Sequence, residues 1–253
     1  MGKWLLGVVL AMSMGIAAKA ADLVVYSAAA MKGAMATVPA EFAAATGHHV
    51  RFVFGTAGFV RDSITHGAVA DLVIAPPAIL QDLVDKGFIR TGSVKGLGET
   101  MLGLAVKRGS PHPAIGTDDE FRSTLLAAPS VGVPDPATGA TTGIYLAKMF
   151  DRMGLTAVMQ AKLVLYPDGL QAMAAGAAGK VALGLGQISE ILPVSGVELV
   201  GAIPAAFQLH TIYAAGLPTH AANPTAAEQL YSFLNAPARQ VAFEKSGFTH
   251  PAQ

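Results

Sequence analysis

Three segments of this chain combine small residues, hydroxyls and almost no charge, and each leads from an apolar run into a helical one. They are Tyr26-Ser27-Ala28-Ala29-Ala30, Phe54-Gly55-Thr56-Ala57-Gly58, and residues 134–143, which hold Thr138, Thr141 and Thr142. Small side chains at such places let a ligand reach the backbone, and the free N–H groups of a helix start favour negative charge. Donors of this kind hold an anion in a dry site without lysine or arginine. Ordinary helix capping also calls for Ser or Thr at any one of these positions. Three such loops in one chain point further, to a binding cleft contacted by Ser27, Thr56, Gly58, Thr138, Thr141 and Thr142. Arg61, one turn into the second helical run, is spaced to pair with a ligand carboxylate. A solvated helix arginine would look the same.

Motifs for covalent chemistry fail on inspection. Gly176-Ala-Ala-Gly179-Lys180 resembles a phosphate loop, but Ala174 stands where its first glycine belongs and Val181 where Ser or Thr would bind magnesium. Gly184-Leu-Gly186 and Gly96-Leu-Gly98 lack the third glycine of a dinucleotide fingerprint. There is no Gly-x-Ser-x-Gly elbow. The seven histidines are scattered, and the adjacent His48 and His49 cannot face one metal. No two carboxylates stand out as an acid/base couple. Neither enzymatic activity, a cofactor nor a metal is therefore expected.

Lys3, an apolar run over residues 4–18 and the small-x-small end Ala18-Lys19-Ala20 form an export signal, with the mature chain starting at Ala21. The run is shorter than the roughly 20 apolar residues of a membrane span. Losing Lys3 and Lys19 leaves 15 basic residues against 17 acidic ones. That balance argues against a nucleic-acid partner, which would call for a basic face, and against an electrostatic membrane anchor. Cysteine is absent, so an exported chain must rely on core burial alone.

The elements that must position the loops alternate. Short apolar runs at 23–26, 50–54 and 71–74 read as strands, each followed by a helical pattern. Pro39 lies inside the first of these helical patterns and should kink or restart it. The alternation implies a parallel sheet with right-handed crossovers. After a segment at 102–106 read as a crossing, the pattern repeats. Thr117-Asp118-Asp119-Glu120 is a capping box, strands follow at 130–133, 163–165 and 181–185, and helices at 143–153 and 169–175. Runs at 198–203 and 211–214 carry the chain back, and helices at 225–234 and 237–245 finish it. The expected architecture is α/β in two lobes with parallel-rich sheets and two interlobe crossings. The expected divisions are 1–20 for the signal, 21–104 and 205–253 for the first lobe, and 105–204 for the second. Ligands of such lobes sit at the carboxyl ends of the strands.

At these loops the chain resembles the periplasmic molybdate-binding proteins of ABC importers. The segments carrying the likeness are Val25-Tyr26-Ser27-Ala28-Ala29-Ala30-Met31, Phe54-Gly55-Thr56-Ala57-Gly58-Phe59, Ala70-Asp71-Leu72-Val73-Ile74-Ala75, Asp85-Lys86-Gly87-Phe88-Ile89 and Phe243-Glu244-Lys245-Ser246-Gly247-Phe248. The resemblance implies a type II periplasmic-binding-protein fold. Its expected partners are a small anionic ligand and an inner-membrane ABC permease, with the chain acting as a monomer. It also adds Ala30, Met31, Ala57 and Gln187 to the expected ligand contacts. Ala30-Met31 replaces the family's Ala-Ser-Leu, Ala57-Gly58 its Ser-Gly, and Gln187-Ile188-Ser189-Glu190 its Tyr-x-Ser-Asp turn. A pocket altered in this way suits a small organic carboxylate as well as a metal oxyanion. Service to a membrane sensor, or an exported enzyme without recognisable motifs, are the alternatives to import.

Overall fold

A computed structural model describes residues 20–250, so the expected export segment lies outside it except for Ala20. The chain opens with β1 (Asp22–Ala28), a 3-10 turn (Ala29–Met31), α1 (Val38–Thr46), β2 (His49–Gly55), α2 (Ala57–Thr65), β3 (Leu72–Ala75), α3 (Pro77–Asp85) and β4 (Lys95–Thr100). Next come β5 (Leu102–Lys107), α4 (Asp118–Ala127), β6 (Val131–Pro134), α5 (Thr141–Arg152), α6 (Thr156–Gln160), β7 (Leu163–Tyr166), α7 (Gly169–Ala177), β8 (Leu183–Gln187), α8 (Ile188–Ile191) and β9 (Val197–Ala202). The chain ends with β10 (Thr211–Gly216), α9 (Pro224–Leu234) and α10 (Gln240–Lys245). Pro39 restarts the helical run, because α1 takes it into its first turn, where a missing N–H leaves no helical bond unmade. At the start of α4 both bonds of the capping box form: Glu120 N–H donates to the Thr117 hydroxyl at 3.2 Å, and Thr117 N–H to the Glu120 carboxylate at 3.0 Å.

Two five-stranded sheets result, ordered β2-β1-β3-β10-β4 and β7-β6-β8-β5-β9. In each, the first three strands are parallel and the fourth runs antiparallel to both neighbours. The sheets are therefore mixed, each keeping the run of three parallel strands that the alternation implied. The cause is connectivity: β5 and β10 are the strands that have just crossed from the other sheet, and they enter heading the opposite way. Strand β5 is a full member of the second sheet, so the first crossing is at Met101 and not along 102–106. The second spans residues 203–210. Gln208 ties the two together, its side-chain oxygen accepting from Leu102 N–H at 2.6 Å and its amide donating to the carbonyls of Leu102 and Ile203.

Strand β4 carries Gly96, Gly98, Lys95 and Glu99 and reads poorly as a strand. It forms because β10 returns to pair with it, an instance of tertiary pairing overriding propensity. Each sheet is covered on both faces. In the first lobe, Leu23, Val25, Phe42, Leu230 and Phe243 pack on one side, and Val60, Ile64, Leu80 and Leu83 on the other. In the second, Phe121, Leu146, Met149 and Phe150 pack on one side, with Met173, Ile191 and Val197 on the other. Core burial is thus continuous within each lobe, and the carboxyl ends of the parallel strands are left facing each other.

Candidate functional site

Where these strand ends meet, the loops of the two lobes enclose a small cavity of about 30 Å³. The first lobe lines it with Ala28, Ala29, Ala30, Gly55, Thr56, Ala57 and Tyr213; the second with Pro134, Ala140, Thr141, Thr142, Asp168, Gly169, Gln187 and Glu190. Six of the expected contacts come together here: Ala30, Thr56, Ala57, Thr141, Thr142 and Gln187.

Thr141 and Thr142 open α5, whose N-cap is Ala140, a residue with no side-chain acceptor for the first turn. The N–H groups of that turn are left to whatever occupies the cavity. Thr56 is different. It caps α2 by accepting from Phe59 N–H at 3.0 Å, and its hydroxyl donates across the cleft to the Thr138 carbonyl at 2.6 Å. It lines the site with its hydroxyl proton already committed. Gln187 is buried, and its side-chain oxygen accepts from the Tyr213 hydroxyl at 3.0 Å, which turns its NH₂ group away from Tyr213.

Four expected contacts do not line this cavity. Ser27 lies in the body of β1, between Phe54 of β2 and Ile74 of β3, and its hydroxyl donates to the Ala28 carbonyl. Met31 turns into the first lobe's core beside Met35 and Phe42. Gly58 donates its N–H to the Gly139 carbonyl of the other lobe at 3.1 Å. The two backbones approach so closely there that a Cβ on Gly58 would stand 2.8 Å from Gly139 Cα. Thr138 takes part in the same interlobe contact through its carbonyl, while its hydroxyl donates to Asp135 and Pro167 carbonyls. Arg61 is exposed, pairs with Asp62 at 2.8 Å and does not line the cavity.

The second lobe also brings together two carboxyl groups that no local spacing revealed. Asp168 caps α7, accepting from Gln171 N–H and from its side-chain amide at 2.8 Å each. Glu190 is 6% exposed and lies against Gly169, where an added Cβ would come within 2.1 Å of its carboxylate. Burial pushes Glu190 up to about 7, with Asp168 adding to the rise, while backbone N–H groups of Gln187 and Gly169 pull the other way. Tyr213 is also raised, first by burial and then by Glu190. Two carboxyl groups, far apart in sequence, thus line one cavity. Asp168 was open to the rule that exposed the other loops, since it stands between a strand and a helix beginning at glycine. Glu190 sits in the turn matched to the family's Tyr-x-Ser-Asp, and its facing Asp168 is a product of the fold.

The pattern of the bacterial extracellular solute-binding proteins matches residues 23–249. An aconitate isomerase of Pseudomonas sp. is 34% identical over 186 residues, covering 73% of this chain and 69% of the relative. A molybdate-binding protein of Mycobacterium tuberculosis is 23% identical over 242 residues, covering 92% of this chain and 86% of the relative. Among solved structures, the periplasmic molybdate-binding protein of Azotobacter vinelandii superposes with a TM-score of 0.76 at 20% identity, over 91% of this chain and all of that one. Its fold is therefore that of the periplasmic binding proteins, and the chain belongs to the bacterial extracellular solute-binding protein family.

Proposed function

We propose that this is a periplasmic solute-binding protein of an ABC importer that captures a small organic anion between its lobes and hands it to a permease. One observation carries the reading. The cavity offers the uncapped first turn of α5 together with Thr141 and Thr142, and no lysine or arginine lines it. Neutral donors of this kind bind anions without salt bridges. An organic acid is preferred over a metal oxyanion because Asp168 and Glu190 line the same space. A tetrahedral oxyanion needs donors around all its oxygens and tolerates acceptors poorly. A thermal-stability screen against molybdate, tungstate, sulfate, phosphate and a panel of di- and tricarboxylates tests this. At 100 times its Kd a true ligand adds about 2.7 kcal/mol of stability. Stabilisation by carboxylates supports the reading; stabilisation by molybdate alone, or only by sugars, overturns it.

A second reading rests on Glu190 and on the relative named aconitate isomerase. A buried carboxyl group pushed up to about 7 can take a proton and return it near neutral pH. Beside a bound unsaturated acid, Glu190 would remove a proton from a CH₂ group next to the double bond. Delivering it to the far alkene carbon would shift the double bond, with no cofactor needed. Incubating cis- or trans-aconitate with the protein in D₂O and following deuterium uptake and isomer ratio by NMR distinguishes the two. No exchange over background supports pure capture; isomerisation abolished in Glu190→Gln supports catalysis.

A further inference from the structure

Glu190 is an unusual wall for an anion site. It sits within a one-turn helix, α8, which packs against β5, β8, β9, α7 and the 3-10 turn at Ala29–Met31. Of the ionisable groups on and around those elements, Asp168 and Tyr213 share the cavity with it. Lys107 and Glu198 lie at the far ends of β5 and β9, and Lys32 is exposed beyond the 3-10 turn. No cation among the described residues therefore faces Glu190. Its carboxyl rests over Gly169, where only a residue without Cβ leaves it room, so the fold holds this group at the cavity wall.

An ionised carboxylate offers acceptors only, and so does a fully ionised ligand oxygen. Set together in a cavity without cations, the two repel unless a proton lies between them. We propose that Glu190 is the specificity-determining residue of the cleft: it admits an anion only with a proton shared between its carboxyl group and a ligand oxygen. This inference rests on the reading of the cavity as an anion site. Capture then takes up a proton at neutral and alkaline pH. Ligands that tolerate one short O–H···O contact among softer ones, as carboxylates do, are accepted. Sulfate, a far weaker base than a carboxylate, shares such a proton poorly and is held less tightly. The elevated affinity of Glu190 for its proton, a result of burial and of Asp168, makes the uptake feasible near pH 7. The device works by repulsion, in the way specificity often does.

The test uses the mature protein and its Glu190→Gln variant, which keeps the side-chain shape, with circular dichroism to confirm that both fold. trans-Aconitate is the organic probe, since its carboxyl groups carry no proton at neutral pH, and molybdate and sulfate are the oxyanion probes. Calorimetric titrations of both proteins run from pH 6.5 to 8.5 in buffers of different ionisation enthalpy, so that proton uptake is read directly for each. The expected result is uptake approaching one proton per trans-aconitate at pH 8, with affinity falling by about tenfold per pH unit above 7. Glu190→Gln should bind it with no proton uptake and a flat pH profile, and should gain affinity for sulfate. Wild-type binding of trans-aconitate without proton uptake overturns the inference and leaves the capture reading standing. An unchanged pH slope in Glu190→Gln does the same. Failure of all three probes to bind at any pH overturns the anion reading, and the inference with it.

Discussion

Strand for strand, β2-β1-β3-β10-β4 and β7-β6-β8-β5-β9 share one spatial arrangement, but the loops at their facing ends carry different chemistry. The first lobe presents Ala28, Ala29, Ala30 and Ala57, with Thr56 already bonded, so it contributes methyl groups, backbone and the Tyr213 hydroxyl. The second presents Thr141, Thr142, Asp168, Gln187 and Glu190, so nearly all side-chain polarity in the cleft is on one side. The connections between lobes are divided just as unevenly. Thr56 and Gly58 reach the backbone at Thr138 and Gly139, and Tyr213 reaches Gln187. In the proposed clamp the first lobe would serve as a lid, its polar atoms bonded across the cleft, and the second as the recognition surface. Equal folds do not imply equal roles, because a β–α loop's length and fold fix where a group sits, while its sequence decides what group it is.

Breaking the lid should have the largest effect. In Gly58→Val the new side chain would collide with Gly139 across the cleft, so closure fails while both lobe cores remain intact. Ligand affinity should fall by roughly 3 kcal/mol, with an unchanged circular dichroism spectrum. Unaltered affinity would remove this contact from the closing mechanism.

Next in size is a pH effect confined to the recognition lobe. Glu190 is held above its ordinary value in the fold, so the folded state keeps a proton that the unfolded chain has lost. Stability from its neutral form is complete below about pH 4.5 and is lost as pH rises through about 7. Glu190→Gln should therefore gain roughly 3 kcal/mol relative to wild type between pH 5 and 8, read from urea melts at each pH. Parallel pH profiles for the two proteins would contradict the burial argument.

Smaller effects sharpen the comparison. Thr141→Val removes one hydroxyl from the recognition lobe and should weaken binding by about 1–2 kcal/mol in a calorimetric titration. Ser27→Ala, in the lid lobe, should change affinity by less than about 0.5 kcal/mol, because its hydroxyl is spent on the Ala28 carbonyl. An affinity loss on Ser27→Ala equal to that on Thr141→Val would erase the proposed asymmetry.

How much of this was legible in the residues depends on whether the signal was local. The loops at Thr56, Ala57, Thr141 and Thr142 were, since each follows a β-rich run and opens a helix. The capping box at Thr117 and the helix restart at Pro39 were legible for the same reason. Ser27 does not line the cavity because it lies between two paired strands with its hydroxyl turned to the Ala28 carbonyl, and Met31 does not because the turn carrying it rolls inward. The antiparallel strands β5 and β10 needed knowledge of where the chain crosses. So did β4, which exists as a strand only through its partner. Asp168 and Glu190 meet through the packing of α7 against α8, and a spacing of 22 positions carries no periodic signal for that meeting.

In the proposed clamp, an anion is recognised by one lobe and enclosed by the other. Small-angle scattering of the wild type and of Gly58→Val, with and without the tightest-binding carboxylate of the screen, tests it most directly. The wild type should contract on saturation, and Gly58→Val should hold the larger radius of gyration at any ligand concentration. A wild type whose radius does not change at saturation, or a Gly58→Val variant that contracts as fully, would contradict the clamp.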